Sequence, residues 1–169
     1  MDHDLCSSYR PVSNLSFVSK LLEKCVLNQL MCYLEENGLI CDVQSGYRQH
    51  HSCETLMIRM VNDINEKLRE KKVIALLLLD LSAAFDTIDH KILIQKLSLD
   101  YGLHGDVLNW IVSYLKNRSF TVKINRRTSA SCVLVCGVPQ GSLLGPILFI
   151  LYTKDLKRIA HSFGLSIQL

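Results

Sequence analysis

The stretch "VIALLLLDLSAAFDTIDH", residues 73–90, constrains the fold more than any other part of the chain. Residues 73–81 are apolar on both faces, which predicts a central β-strand covered on both sides rather than an edge strand. Asp80 stands at the end of this run. An unpaired carboxylate buried there would cost several kcal/mol, so it needs either a divalent metal ion or a helix start to cap. Asp86 begins the next helical pattern and has Asp89 three residues on. Both charges suit the positive end of a helix, and Asp86 reads as the cap. Asp80 lies six residues earlier, too far for the same cap, and a metal is its simplest partner. Aspartyl-phosphate chemistry would need a second acid two positions after Asp80, where Ser82 stands.

The segments around this run are mostly helical. Between Ser16 and Asn37 the residues Leu21, Leu22, Val26, Leu30, Tyr33 and Leu34 recur at helical spacing, and Gly38 follows as a C-cap. A polar loop, "CDVQSGYRQHHS", leads to a second amphipathic helix carrying Leu56, Met57, Met60, Val61, Ile64 and Leu68, with Ser52 as its N-cap. Helix resumes near Asp86 and runs to Gly102, and "DVLNWIVSYLKN" predicts another. The runs "SFTVKI" and "CVLVCGV" then form a hairpin around "NRRTSAS". "SLLGPILFILYTKDLKRIA" predicts one long, largely buried helix with Pro146 in its first turn, and "SIQL" has the pattern of a strand beginning. No repeat or linker divides the chain, so residues 1–169 are expected to form one α+β unit.

Composition narrows the function classes. With 49% hydrophobic residues in 169, the chain can bury a core and is not a disordered tail. A net charge of +3 permits a polyanionic partner without demanding one. Seven cysteines, an odd number with no CxxC pair, predict reduced core thiols in an intracellular protein, and no zinc site. No apolar run approaches the ~20 residues that span a bilayer, so no membrane contact is expected.

Two further segments carry chemistry. "GVPQGS", residues 137–142, suits either a loop that brings backbone close to a ligand or a plain strand-to-helix turn; Gly137 and Gly141 permit tight geometry and Ser142 can cap the following helix. Between residues 116 and 127 lie Lys116, Arg118, Lys123, Arg126 and Arg127, with Phe120 among them and no acid. This is either a surface for nucleic-acid phosphates or a solvated turn.

Four segments, "YRPVSNLSFVSKLLEKCVLNQL", "QSGYRQHHSCET", "LLLLDLSAAFDTIDH" and "CGVPQGSLLGPILF", occur in an order and spacing that resembles the reverse transcriptases of non-LTR (LINE-type) retrotransposons. A group-II-intron-type polymerase is the nearest other ancestry, but "AFDTIDH" with "GVPQGSLLGP" is more similar to the LINE type. The resemblance implies a partial right-hand polymerase fold, helix-rich with a small antiparallel sheet, in which about 1–72 are fingers-like and 73–169 palm-like. It implies an RNA-directed DNA polymerase with RNA template, DNA primer and deoxynucleotide triphosphates as partners. Asp80 would then be the catalytic ligand of Mg²⁺, with Mn²⁺ as a substitute, in two-metal nucleotidyl transfer. Leu81, Ser82, Ala83 and Ala84 would cradle the triphosphate, Phe85 would lie beneath the incoming sugar, and Arg48 would touch the phosphates. Gln140 and Gly141 would sit against the template-paired nucleotide.

The same resemblance places an aromatic-x-Asp-Asp turn directly after "SIQL", where this sequence stops at Leu169. Without the carboxylates of that turn, the 169 residues alone are expected to support no primer extension. The alternative is a catalytically silent remnant that binds nucleic acid weakly. A palm sheet lacking a strand is also expected to expose apolar surface and to be marginally stable.

Overall fold

The computed structural model describes residues 12–81 and 83–169. The expectation for Ser82 lies outside them.

Side-chain caps mark the starts of three of the six helices among the described residues. α1, Phe17–Glu36, starts where the Ser16 side chain accepts the Ser19 N–H, and it ends before Gly38 at φ +61°. α2, Cys53–Arg69, opens with a reciprocal Ser52–Thr55 capping box. α3, His90–Leu99, is capped by Asp89, and α4 is Gly105–Leu115. The hairpin forms as two short antiparallel ladders: β1, Ser119–Phe120, pairs with β4, Cys132–Val133, and β2, Lys123–Ile124, pairs with β3, Arg127–Thr128. α5, Gly145–Tyr152, and α6, Asp155–Ser162, complete the order.

The core lies among α1, α3, α4 and α5. Leu34, Leu93, Leu97, Leu115, Leu148 and Leu151 are essentially inaccessible there, together with Ile88, Val138 and Leu144 from the connecting loops. Each such side chain stabilises the fold by about 1.5–3 kcal/mol relative to exposure. Tyr33 Oη donates to the Tyr101 carbonyl at 2.8 Å and Tyr101 Oη to that of Leu151 at 3.0 Å, which ties α1 to α5 through the loop after α3. At the far end of α5, Lys96 meets Asp155 at 2.5 Å and holds that carboxyl below the usual range.

Several expectations are corrected. Helix after residue 80 begins at His90 instead of near Asp86, because residues 83–86 form a turn. Asp86 caps nothing: the Lys91 and Ile92 N–H groups go to Asp89, whose carboxyl they hold low. The long C-terminal helix is two helices. Its apolar pattern stops at Tyr152, the Thr153 hydroxyl bonds back to the Phe149 carbonyl at 2.9 Å, and Asp155 starts α6. α2 buries no residue fully, and Met57, Ile58 and Val61 on it are exposed. The cysteines that can be placed are free thiols as expected, but none is buried: five are exposed and Cys41 is intermediate.

The largest correction concerns residues 73–81. They have no strand partner among the described residues, and Leu77, Leu78 and Leu79 are each about three-quarters exposed, at 74%, 79% and 77%. Alternation and run length report that a segment favours burial; they do not supply a neighbouring ladder. The "SIQL" segment does not provide one. Leu169 instead exchanges backbone hydrogen bonds with Val43 and Ser45, at 3.0 and 2.6 Å. Leu78→Lys is therefore expected to change the unfolding free energy of the 169-residue chain by no more than about 0.5 kcal/mol, while lowering aggregation and dye binding to apolar surface. A loss above about 2 kcal/mol in denaturant titration would mean that the run is packed in a sheet.

Candidate functional site

Two motifs about fifty residues apart meet at one edge of the helical core. The turn at residues 83–88 closes with the Asp86 N–H on the Ala83 carbonyl at 2.9 Å. Against it lies the 137–142 loop. The Gly137 N–H donates to the Ile88 carbonyl and the Val138 N–H to the Phe85 carbonyl, both at 2.8 Å. His90, through an Nε2–H, donates to the Gly137 carbonyl at 2.7 Å. Gln140 Nε2 donates to Asp86 Oδ2 at 2.8 Å, so the amide and the carboxylate orient each other.

This approach requires glycine at residue 137. Its φ is +82°, and a Cβ would lie 2.8 Å from both the Asp86 Cα and the Phe85 carbonyl oxygen. At Gly141, φ +95°, a Cβ would meet only ordinary contacts, the Ser13 carbonyl oxygen at 3.7 Å and a Val12 methyl at 3.8 Å. Ser142 is buried, and its hydroxyl accepts the Gly145 N–H at 2.9 Å, the first amide of α5, although the N-cap position itself falls to Leu144 rather than to Ser142. Phe85 is half-buried and tilts against Phe149 with ring centroids 5.5 Å apart. It roots the turn in α5.

The other expected site residues are mostly exposed. Asp80 and Leu81 are exposed, Ala83 is exposed at φ +53°, and Ala84 is intermediate. The described residues hold no group of three or more His, Cys, Asp or Glu able to form a metal cage by themselves. An exposed carboxylate fits a different arrangement, in which Mg²⁺ keeps water and takes one or two protein carboxylates plus substrate phosphates. Arg48 folds back on its own loop, one guanidinium nitrogen lying 3.4 Å from the Cys41 carbonyl and 3.5 Å from that of Gln44. Lys116, Lys123, Arg126 and Arg127 are exposed, the last three on or beside the β2–β3 turn, where Asn125 takes φ +54°. Arg118 is engaged differently. Its Nε donates to the Tyr114 carbonyl at 2.6 Å and its guanidinium lies 4.4 Å from the Tyr114 ring centre.

Two contributors, His90 and Glu23, have no counterpart in the sequence reading, and Asp89, expected only to favour the helix end, is the cap itself. His90 anchors the glycine loop. Glu23 is 1% exposed within α1; its Oε2 accepts the Leu143 N–H at 2.7 Å and its Oε1 lies 3.4 Å from the Tyr114 hydroxyl. Burial and the nearby Glu23 charge push the Tyr114 phenol up to about 12, so it remains a donor at neutral pH. A signal for Glu23 exists in the sequence: it precedes Leu30 and Leu34 by seven and eleven residues, in phase with the buried stripe of α1.

The turn stitched to the Pro-Gln-Gly loop carries Asp86, whereas Asp80, the carboxylate expected to hold a metal, takes part in none of these hydrogen bonds. Residues 2–168 match the family model described as reverse transcriptase (RNA-dependent DNA polymerase), and the chain belongs to that family. It is 36% identical over 149 residues to the probable RNA-directed DNA polymerase from transposon BS of Drosophila melanogaster, an alignment covering 88% of this chain and 16% of that protein. It is 35% identical over 150 residues to the RNA-directed DNA polymerase from mobile element jockey of Drosophila funebris, again 88% of the chain and 16% of the relative. A more distant match, 26% over 148 residues, is the retrovirus-related Pol polyprotein from type-1 retrotransposable element R2 of Popillia japonica, covering 85% of the chain and 20% of the relative. The resemblance to non-LTR retrotransposon reverse transcriptases is thus borne out, and the chain spans about a sixth of the length of these two Drosophila relatives. The helix-rich architecture with a small antiparallel sheet agrees with that family. Among the described residues, no helix is long and apolar enough to cross a membrane.

Proposed function

We propose that this chain forms the fingers and part of the palm of a right-hand, RNA-directed DNA polymerase, with about 1–72 on the fingers side and 73–169 on the palm side. The observation that carries the reading is the junction itself: the 83–88 turn and the 137–142 loop share two backbone hydrogen bonds, to Gly137 and Val138, and a third between Gln140 and Asp86, and His90 at the start of α3 adds one to the Gly137 carbonyl. Such a junction holds Gln140, oriented by the Asp86 carboxylate, in a loop able to face a base.

In this reading Asp80 holds Mg²⁺ brought in with the triphosphate, and the ion supplies charge neutralisation for in-line transfer. Leu81, Ala83 and Ala84 present backbone to the phosphates, Phe85 limits the space beneath the sugar, and Gln140 and Gly141 face the nucleotide paired with template. Arg48 reaches phosphate by exchanging its two long carbonyl contacts for charge-assisted ones. The hairpin tracks the template or primer backbone through Lys123, Arg126 and Arg127, with Lys116 and Arg118 at its base.

A second reading, nucleic-acid binding without nucleotidyl transfer, draws on the isolation of Asp80 from any group of three metal-ligating side chains among the described residues. Both readings require a phosphate footprint. An RNA-template, DNA-primer duplex is expected to bind the chain with an affinity that falls linearly in log–log form with salt. Replacing Lys123, Arg126 and Arg127 together by Gln should flatten that slope by about 2 to 3. An unchanged slope in a fluorescence-anisotropy titration would remove the hairpin from the interface, and binding indifferent to salt would remove nucleic acid altogether.

A further inference from the structure

We infer that Glu23 is a positioning residue for the Gln140 loop, fixing from the interior of α1 the geometry in which that loop meets a nucleotide. The inference rests on the polymerase reading and adds a residue that the motifs do not contain. A carboxyl group with 1% exposure is retained in a core only where its partners compensate the lost hydration. Glu23 has two such partners. Its Oε2 takes the Leu143 N–H at 2.7 Å across a sequence separation of 120 residues, and its Oε1 faces the Tyr114 hydroxyl at 3.4 Å.

The Leu143 amide is well placed for control. It follows Ser142, whose hydroxyl accepts the Gly145 N–H at the start of α5, and it lies three residues after Gln140. Gln140 is held from outside by its side-chain bond to Asp86 and by the Ser13 N–H on its carbonyl at 2.9 Å. Both contacts come from outside the core, from the 83–88 turn and from Ser13. The Glu23 contact holds the other side of the loop to the core, so a shift there rotates the segment that carries Gln140. Tyr114 joins the same clamp to the base of the basic hairpin, because Arg118 stacks on its ring.

The test uses Glu23→Gln and Glu23→Ala in the full chain, with two readouts. Glutamine keeps an oxygen for the Leu143 N–H and a nitrogen toward Tyr114 Oη; alanine keeps neither. Amide hydrogen exchange by NMR should show Leu143 protection retained in Glu23→Gln and reduced about tenfold or more in Glu23→Ala, with amides of Leu97 and Leu115 unchanged. Binding of a matched deoxynucleotide triphosphate with Mg²⁺ to the complex with RNA–DNA primer–template should weaken about tenfold in Glu23→Ala, while primer–template binding without nucleotide stays constant. Should Glu23→Ala not fold, Glu23→Asp, one methylene shorter, carries the same expectation. Retained Leu143 protection in that variant overturns the clamp. Loss spread evenly over the core amides, or nucleotide and duplex binding falling together, reduces Glu23 to a stability residue and overturns positioning. If the unmodified chain binds no primer–template, the polymerase reading fails by itself, and the Leu143 exchange result still decides whether the clamp exists.

Discussion

Asp80→Asn is expected to lower primer extension by about 10³-fold in a polymerase that contains these residues, equivalent to about 4 kcal/mol of transition-state stabilisation. Asn is neutral and a weaker ligand, so the ion arriving with the triphosphate loses its fixed negative partner. The effect should appear in the rate of extension at saturating nucleotide, with duplex binding unchanged, because Asp80 lies outside the basic hairpin. A loss below about tenfold would exclude Asp80 as a metal ligand. Under the second reading there is no extension to lose, and the substitution is silent.

Gly137→Ala should have the largest effect on stability. The added methyl meets backbone on two sides, at 2.8 Å from the Asp86 Cα and 2.8 Å from the Phe85 oxygen, and neither can swing away as a side chain would. Left-handed backbone adds about 1 kcal/mol and forced overpacking about 1–3 kcal/mol, giving about 3 kcal/mol together. For a chain of this size that corresponds to a fall of roughly 6–12 °C in Tm. Gly141→Ala is the control. It has comparable backbone strain but no close contact around the new methyl, whose nearest neighbours lie at 3.7 and 3.8 Å, so about 1 kcal/mol is expected. Equal losses in the two variants would show that the 83–88 turn and the 137–142 loop are not in contact.

The parts of the fold legible in the sequence are those coded by neighbours in the chain. Gly38 and Ser52 mark helix ends through backbone freedom and a side chain, and the structure places both as expected; Ser16 caps α1 by the same kind of local bond. The hairpin is likewise local, its turn set by polar residues between two β-prone runs. The start of α3 was coded locally too, but by another pattern. Ile88 and Leu93, both fully buried, flank Asp89 as the residue before the cap and the fourth residue of the helix. That hydrophobic staple identifies Asp89, whereas acid spacing alone favoured Asp86.

What was not legible depends on partners distant in the chain. Residues 73–81 carry the composition of a buried strand, but covering them requires another segment, and composition cannot name it. Glu23 appears in sequence as one acid of a charged helix; its meaning comes from Leu143 and Tyr114. The meeting of the 83–88 turn with the 137–142 loop was implied by the family's motif order and by no property of either segment. Gln140 illustrates the same limit: the loop suggested closeness to a ligand, and the structure adds the Asp86 carboxylate as the group that orients it.

The most direct test is paramagnetic broadening by Mn²⁺ in the presence of a deoxynucleotide triphosphate, read at the backbone amides by NMR. Broadening is expected at Asp80, Leu81, Ala83, Ala84 and Phe85 and across residues 137–141, and it should vanish in Asp80→Asn. Broadening centred on other acids such as Asp42 or Asp63, or unaffected by Asp80→Asn, would contradict a metal–nucleotide site at the junction of the two motifs.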